Sequence, residues 1–121
     1  MTEHLALIVE DDIDLSTIFS SALVAAGFEA EVLRDGAAAR ERLKQLVPAI
    51  IVLDMHLPHV SGVELLGQIY ADGQLKKVPV VIATADARLG GSLSDMVDFV
   101  LIKPISYAQL RELTSRLKPK N

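Results

Sequence analysis

Ala49-Ile50-Ile51-Val52-Leu53-Asp54-Met55-His56-Leu57-Pro58 decides the fold: five apolar residues run unbroken into a carboxylate, and a proline turn follows. A continuous apolar run of this length suits a parallel strand covered by helices on both faces. Leu5 to Val9, Val78 to Ala83 and Phe99 to Ile102 have the same character. Phe28-Glu29-Ala30-Glu31-Val32-Leu33 mixes acids with apolar residues and reads as a half-exposed edge strand.

Helical patterns fill the intervals. Leu15, Ile18, Phe19, Ala22, Leu23 and Ala26 share one face before Gly27 ends the helix, with Asp14 as the expected N-cap. A second helix should begin after Asp35 and stop before Pro48, because the residue ahead of a proline avoids helical geometry. Ser61-Gly62-Val63-Glu64 is a capping box for the third helix. Ser106-Tyr107-Ala108-Gln109 is another for the last, whose buried stripe is Leu110, Leu113 and Leu117. Between Asp86 and Asp98, Gly90-Gly91 stands where a fourth helix belongs. Each internal glycine costs about 1 kcal/mol relative to alanine, so that helix should be short or irregular.

The alternation predicts one α/β domain over residues 1–121, with a frayed tail at 119–121. Its expected architecture is a doubly wound, five-stranded parallel sheet of order 2-1-3-4-5, flavodoxin-like, flanked by about five helices. A chain of 121 residues suffices for one core, and with 50% hydrophobic but only 4% aromatic residues Leu, Ile, Val and Ala must fill it. A net charge of −4 gives no footprint for direct nucleic-acid binding. The absence of cysteine excludes disulfides and thiolate metal sites. No apolar run approaches the roughly 18 residues of a membrane span. Met1 to His4 carry no leader pattern, so a cytoplasmic protein without membrane association is expected.

Sheets of this order bind ligands beyond the carboxyl ends of strands one and three, where the strand order reverses. Glu10-Asp11-Asp12 follow the first strand, Asp54 the third, Thr84 the fourth and Lys103 the fifth. Two carboxylates about 4 Å apart repel by about 4 kcal/mol at an effective dielectric near 20. Such a rim requires either a raised pKa or a cation, and an all-oxygen donor set suits Mg2+ or Mn2+. A carboxylate beside a cation can attack phosphorus, which makes Asp54 the candidate phosphoacceptor. Lys103 could pair with one phosphoryl oxygen and the Thr84 hydroxyl could donate to another.

Leu7-Ile8-Val9-Glu10-Asp11-Asp12, Val52-Leu53-Asp54-Met55-His56-Leu57-Pro58 with Gly62, Thr84-Ala85 and Lys103-Pro104 resemble the receiver domain of response regulators, across the whole chain. The resemblance implies a signalling domain, not a turnover enzyme, that takes a phosphoryl group onto Asp54 and thereby switches partner binding. The donor would be a sensor histidine kinase, a phosphotransfer protein or a small phosphodonor. It also implies Glu10 and Asp11 as the acidic pair. Asp11, Asp54 and the main-chain carbonyl of His56 would be the Mg2+ ligands, with Glu10 beside them in the metal pocket. The Lys103–Pro104 bond would be cis, and a homodimer is left open.

Departures from the family pattern are local. Val100 occupies the switch position, three residues before the lysine, where the family carries Tyr or Phe. Met96-Val97 replaces a Gly-Ala pair, and the span from Thr84 to Lys103 is shorter by about one helical turn. His56 and Asp86 lie two residues beyond Asp54 and Thr84 and are candidates for tuning water access.

Other readings compete. A receiver-like docking module that has lost phosphorylation would fit Val100. A phosphatase of the haloacid-dehalogenase type would need a second Asp where His56 stands, and a cap domain for which there is no room. A flavodoxin-like flavin module would need glycine, hydroxyls or positive charge after the first strand, where the chain is acidic. His56 and His59 flank a proline turn without a visible third zinc ligand.

Overall fold

A computed structural model describes residues 4–119. Its elements in chain order are β1 (Leu5–Val9), α1 (Ile13–Ala25), β2 (Glu29–Leu33), α2 (Gly36–Leu43), β3 (Ile50–Asp54), α3 (Gly62–Ala71), a 3-10 turn (Leu75–Lys77), β4 (Val80–Thr84), α4 (Ala87–Leu93), β5 (Phe99–Ile102) and α5 (Tyr107–Leu117). The strands form one parallel sheet of order β2-β1-β3-β4-β5, as the apolar runs predicted.

Strand alternation divides the core into two layers. Leu7, Val9, Ile51, Leu53 and Ile82 face Leu65, Leu66 and Ile69 of α3, with Ala39 and Leu43 of α2 beside them. Ala6, Ile8, Val52, Val81 and Ala83 face Phe19, Ala22 and Leu23 of α1 and Leu110 of α5. The middle strands are buried along their whole length, and each fully buried Leu, Ile or Val contributes about 1.5–3 kcal/mol. β2 is partly exposed, as its acids imply.

Four local expectations need correction. Asp12, not Asp14, caps α1, because its Oδ1 accepts from Leu15 N at 2.9 Å. Ile18 lies off the covered face and is 39% exposed, while Ser16 is buried and donates its hydroxyl to Ile13 O at 2.8 Å. β5 is the other edge of the sheet, and Phe99 and Ile102 remain exposed instead of covered. On α5, Thr114 is buried along with Leu110, whereas Leu113 and Leu117 are only partly buried. Thr114 enters the core without penalty because its hydroxyl donates to Leu110 O at 2.8 Å.

The α3 capping box closes in both directions between Ser61 and Glu64. Of the α5 box, the described bond is that from Gln109 N to Ser106 Oγ at 3.0 Å. α4 spans seven residues, as its two glycines foretold. The 3-10 turn was not anticipated; Asp72 Oδ1 starts it by accepting from Gln74 N and Leu75 N. Residues 120–121 of the expected frayed tail, and 1–3 of the leader reading, lie outside the described residues. Among the described residues no helix is long and apolar enough to cross a membrane.

Candidate functional site

The register of the sheet, not local sequence, assembles the site. Asp54 ends β3 opposite Ala83, and Thr84 ends β4 opposite Ile102. Lys103 follows β5 directly and its N–H donates to Thr84 O at 2.8 Å, which extends the β4–β5 ladder by one rung. Glu10 follows β1 and is tied to β2 by its N–H to Leu33 O at 3.0 Å. Four strand ends thus present one carboxylate, another carboxylate, a hydroxyl and an ammonium to the same rim. The Lys103–Pro104 bond is cis, as the resemblance implied.

Carboxylate oxygens of Glu10, Asp11 and Asp54 lie within 4.8 Å of one another. Lys103 Nζ stands 3.0 Å from Glu10 Oε1 and 3.4 Å from Asp54 Oδ1. Glu10 and Asp54 are buried at 1% and 3% exposure, whereas Asp11 is exposed. Burial pushes Glu10 above the usual carboxylate range, and the charge of Asp54 adds to this while the Lys103 hydrogen bond opposes it. Burial alone would lower the Lys103 amine. The hydrogen bonds and charges of Glu10 and Asp54 outweigh it and hold the ammonium above its ordinary range.

Three carboxylates facing one ammonium leave an excess of negative charge, and every donor is a hard oxygen. This set fits a hard divalent cation, and with Asp11 open to solvent the cation has a route in. His56 and His59 are both exposed and are not part of any cluster of metal-binding groups among the described residues.

Asp54 uses its two oxygens differently. Oδ1 faces Lys103 and accepts from His56 N at 3.2 Å. Oδ2 accepts no hydrogen bond from a described residue, yet no buried side-chain oxygen among them lacks a partner. Oδ2 is thus the oxygen to which no described residue donates.

Thr84 is buried, and its Oγ1 accepts from Asp86 N at 3.0 Å, which leaves the hydroxyl proton to donate elsewhere. The Asp86 carboxylate caps α4 through Arg88 N at 3.0 Å and Leu89 N at 3.2 Å. His56 is exposed at the rim. Val100 packs into the α3-side core, and Phe99 is turned away from it. Sequence reasoning took Gly90 only as a helix breaker; in the fold it is buried where α4 meets β5. Its signal was a glycine at a position where the helix faces the sheet.

A parallel sheet of this order, with carboxylates at the reversal point and an ammonium across from them, defines the response-regulator class of α/β modules. A family model described as Response regulator receiver domain matches residues 6–115, and the chain belongs to that family. Receiver domains are signalling domains of two-component systems, which pair with sensor histidine kinases. The probable methanogenesis regulatory protein FilR2 of Methanothrix harundinacea is 33% identical over 93% of this chain and 79% of its own length. The phosphate regulon transcriptional regulatory protein PhoB of Rhizobium meliloti is 32% identical over 93% of the chain, which spans only 52% of that relative. Among solved structures, the receiver domain of sensor histidine kinase PA1611 from Pseudomonas aeruginosa superposes with a TM-score of 0.83. It is 26% identical, with 94% of this chain and 96% of that one covered, and holds a magnesium ion coordinated in its active-site cleft.

Proposed function

We propose that residues 1–121 form one receiver domain that accepts a phosphoryl group on Asp54 from a sensor histidine kinase, a phosphotransfer protein or a small phosphodonor. The observation that carries this reading is the gathering of Glu10, Asp11 and Asp54 around one point, with Lys103 and His56 N on Asp54 Oδ1 and no described donor on Oδ2. Oδ2 forms the new bond to phosphorus while the bond from phosphorus to the donor's leaving atom breaks. The electron pair leaves with the donor, an imidazole nitrogen of a kinase or an oxygen of a small acyl phosphate.

The carboxylates of Glu10, Asp11 and Asp54, with the main-chain carbonyl of His56, would hold Mg2+ or Mn2+. When bound, the cation neutralises charge on the transferring group. Lys103 then pairs with a phosphoryl oxygen, and the free Thr84 proton donates to another. His56 and Asp86 stand at the entrance and limit access of water to the acyl phosphate. Phosphorylation would switch the binding of a partner by displacing Thr84.

Incubation with acetyl phosphate and MgCl2, followed by intact mass, tests the reading. The expected result is a labile gain of one phosphoryl group, absent in Asp54→Asn and longer or shorter lived in His56→Ala. An unmodified wild-type chain would refute it.

A further inference from the structure

The residue after β2 is the one strand end that the acceptor site leaves unused. Arg34 follows Leu33 at the same rim as Glu10, whose N–H donates to Leu33 O at 3.0 Å. Its guanidinium pairs with no carboxylate among the described residues. Instead it reaches over to α1, where Nη2 donates to Ser16 Oγ at 3.3 Å. Ser16 is fully buried and its own proton goes to Ile13 O at 2.8 Å, so its oxygen is left to hold the arginine in place. All but one of the Arg34 N–H donors lack a described acceptor.

A cleft of about 210 Å³ lies at this point between α1 and β2, lined by Ser16, Thr17, Ser20, Ser21, Val32 and Arg34. Nothing in its neighbourhood on α1 can neutralise the guanidinium, because no residue from Leu15 to Phe28 carries a charge. Asp35, next to Arg34 in sequence, is engaged as the cap of α2 and accepts from Ala38 N at 2.7 Å. Thr17 spends its proton on Ile13 O at 3.0 Å, whereas the Ser20 and Ser21 hydroxyls have no described partner and can donate into the cleft. Ser and Thr are weaker helix formers than the Ala, Glu or Lys that usually cover an exposed helix face. These positions of α1 thus carry hydroxyls at some cost to the helix.

A fixed positive charge with free donors beside it excludes a cation and leaves a neutral molecule unable to pair the guanidinium. The planar fork of an arginine matches two oxygens of one phosphate or carboxylate. We infer that the cleft between α1 and β2 is an oxyanion site, in which Arg34 takes two oxygens of a small phosphate or carboxylate and Ser20 and Ser21 donate to it. The site is separate from the acceptor chemistry at Asp54, and its test needs no phosphoryl transfer.

Amide and arginine side-chain shifts of the full chain, stripped of divalent cations and held at constant ionic strength, test it with inorganic phosphate, acetate and chloride as probes. Phosphate should move Arg34 Nε–H and the amides of Ser16, Thr17, Ser20 and Ser21 along one saturable curve. Its midpoint should be on the order of a few millimolar, the strength of two charge-assisted hydrogen bonds in water. Acetate on the same curve identifies any carboxylate as a ligand, and a response to phosphate alone identifies the tetrahedral group. Arg34→Gln should weaken phosphate about tenfold, and Arg34→Lys, which keeps the charge but loses the fork, about threefold. Ser20→Ala with Ser21→Ala should weaken it about threefold with the charge intact. Urea midpoints confirm that each variant folds. Labelling of Asp54 by acetyl phosphate should proceed equally in Arg34→Gln and the wild type, which keeps failure of the two readings apart.

Shifts that rise without saturating, or that chloride reproduces at the same concentration, would mean that the cleft holds only water and would overturn the inference. So would a saturable response that Arg34→Gln leaves unchanged.

Discussion

Lys103 Nζ lies 3.0 Å from Glu10 Oε1, so the residue after the last strand grips the residue after the first across 93 positions of sequence. The same ammonium is 3.4 Å from Asp54 Oδ1. One cation thus offsets two buried carboxylates, and it does so from the far edge of the sheet.

Lys103→Met should therefore destabilise the chain and make its stability more sensitive to metal. Removing one partner of a buried ion pair costs about 3–5 kcal/mol, and because the Lys103 side chain keeps 19% exposure, screening brings the expected loss to about 2 kcal/mol. A divalent cation among Glu10, Asp11 and Asp54 replaces the missing charge. Urea denaturation with and without MgCl2 should show a larger metal increment in Lys103→Met than in the wild type. Equal increments would mean that the cation does not share these carboxylates.

Away from the rim, Glu31 of β2 and Arg42 of α2 form a two-pronged pair, with Nε–Oε2 at 2.7 Å and Nη2–Oε1 at 2.9 Å. The Arg42 hydrogen bond holds the Glu31 carboxyl below its ordinary value of 4.5. A carboxyl depressed in the folded state adds stability that is fully present above the unfolded value. That contribution is lost as pH falls through the lower folded one. The gap in urea midpoint between wild type and Glu31→Gln should be full at neutral pH and shrink on acidification below 4.5. High salt should narrow it at any pH, since both side chains keep about a third of their exposure.

Two glycines of α3 should respond in opposite directions to the same change. A Cβ at Gly62 would stand 2.7 Å from Met55 Cα and 3.0 Å from Asp54 O, against backbone that cannot move aside freely. Gly62→Ala should cost about 1–3 kcal/mol and slow modification of Asp54 by displacing its peptide. At Gly67 a Cβ meets nothing within 4 Å, so Gly67→Ala should stabilise by about 0.5–1 kcal/mol through helix propensity alone. Urea midpoints check both signs.

The contrast between Gly62 and Gly67 also shows where sequence stops being informative. The sheet order was readable because apolar runs such as Ala49 to Leu53 leave two buried faces no alternative to a parallel sheet. The acids, the hydroxyl and the lysine were readable because each directly follows such a run. Residues whose environment depends on packing between elements were not. Ser16 is buried and Ile18 exposed because the covered face of α1 is centred on Phe19, Ala22 and Leu23, with Ser16 one turn before them, and Thr114 is buried because its hydroxyl finds a carbonyl one turn back. β5 has the composition of a central strand, although the expected order 2-1-3-4-5 already placed it at the edge, where Phe99 and Ile102 are exposed. The bond from Asp86 N to Thr84 and the seat of Gly90 on Val100 are likewise products of the loop geometry between β4 and α4.

The central claim is that the Asp54 carboxylate takes the phosphoryl group, and borohydride trapping tests it most directly. An acyl phosphate is reduced at its carbonyl carbon, which turns the aspartyl side chain into that of homoserine. After reaction with acetyl phosphate and MgCl2, reduction and proteolysis, peptide masses should place homoserine at position 54 alone, with none formed when magnesium is chelated. Reduction at Asp11 or Asp12, or no reduction in a chain that binds magnesium, would contradict the account.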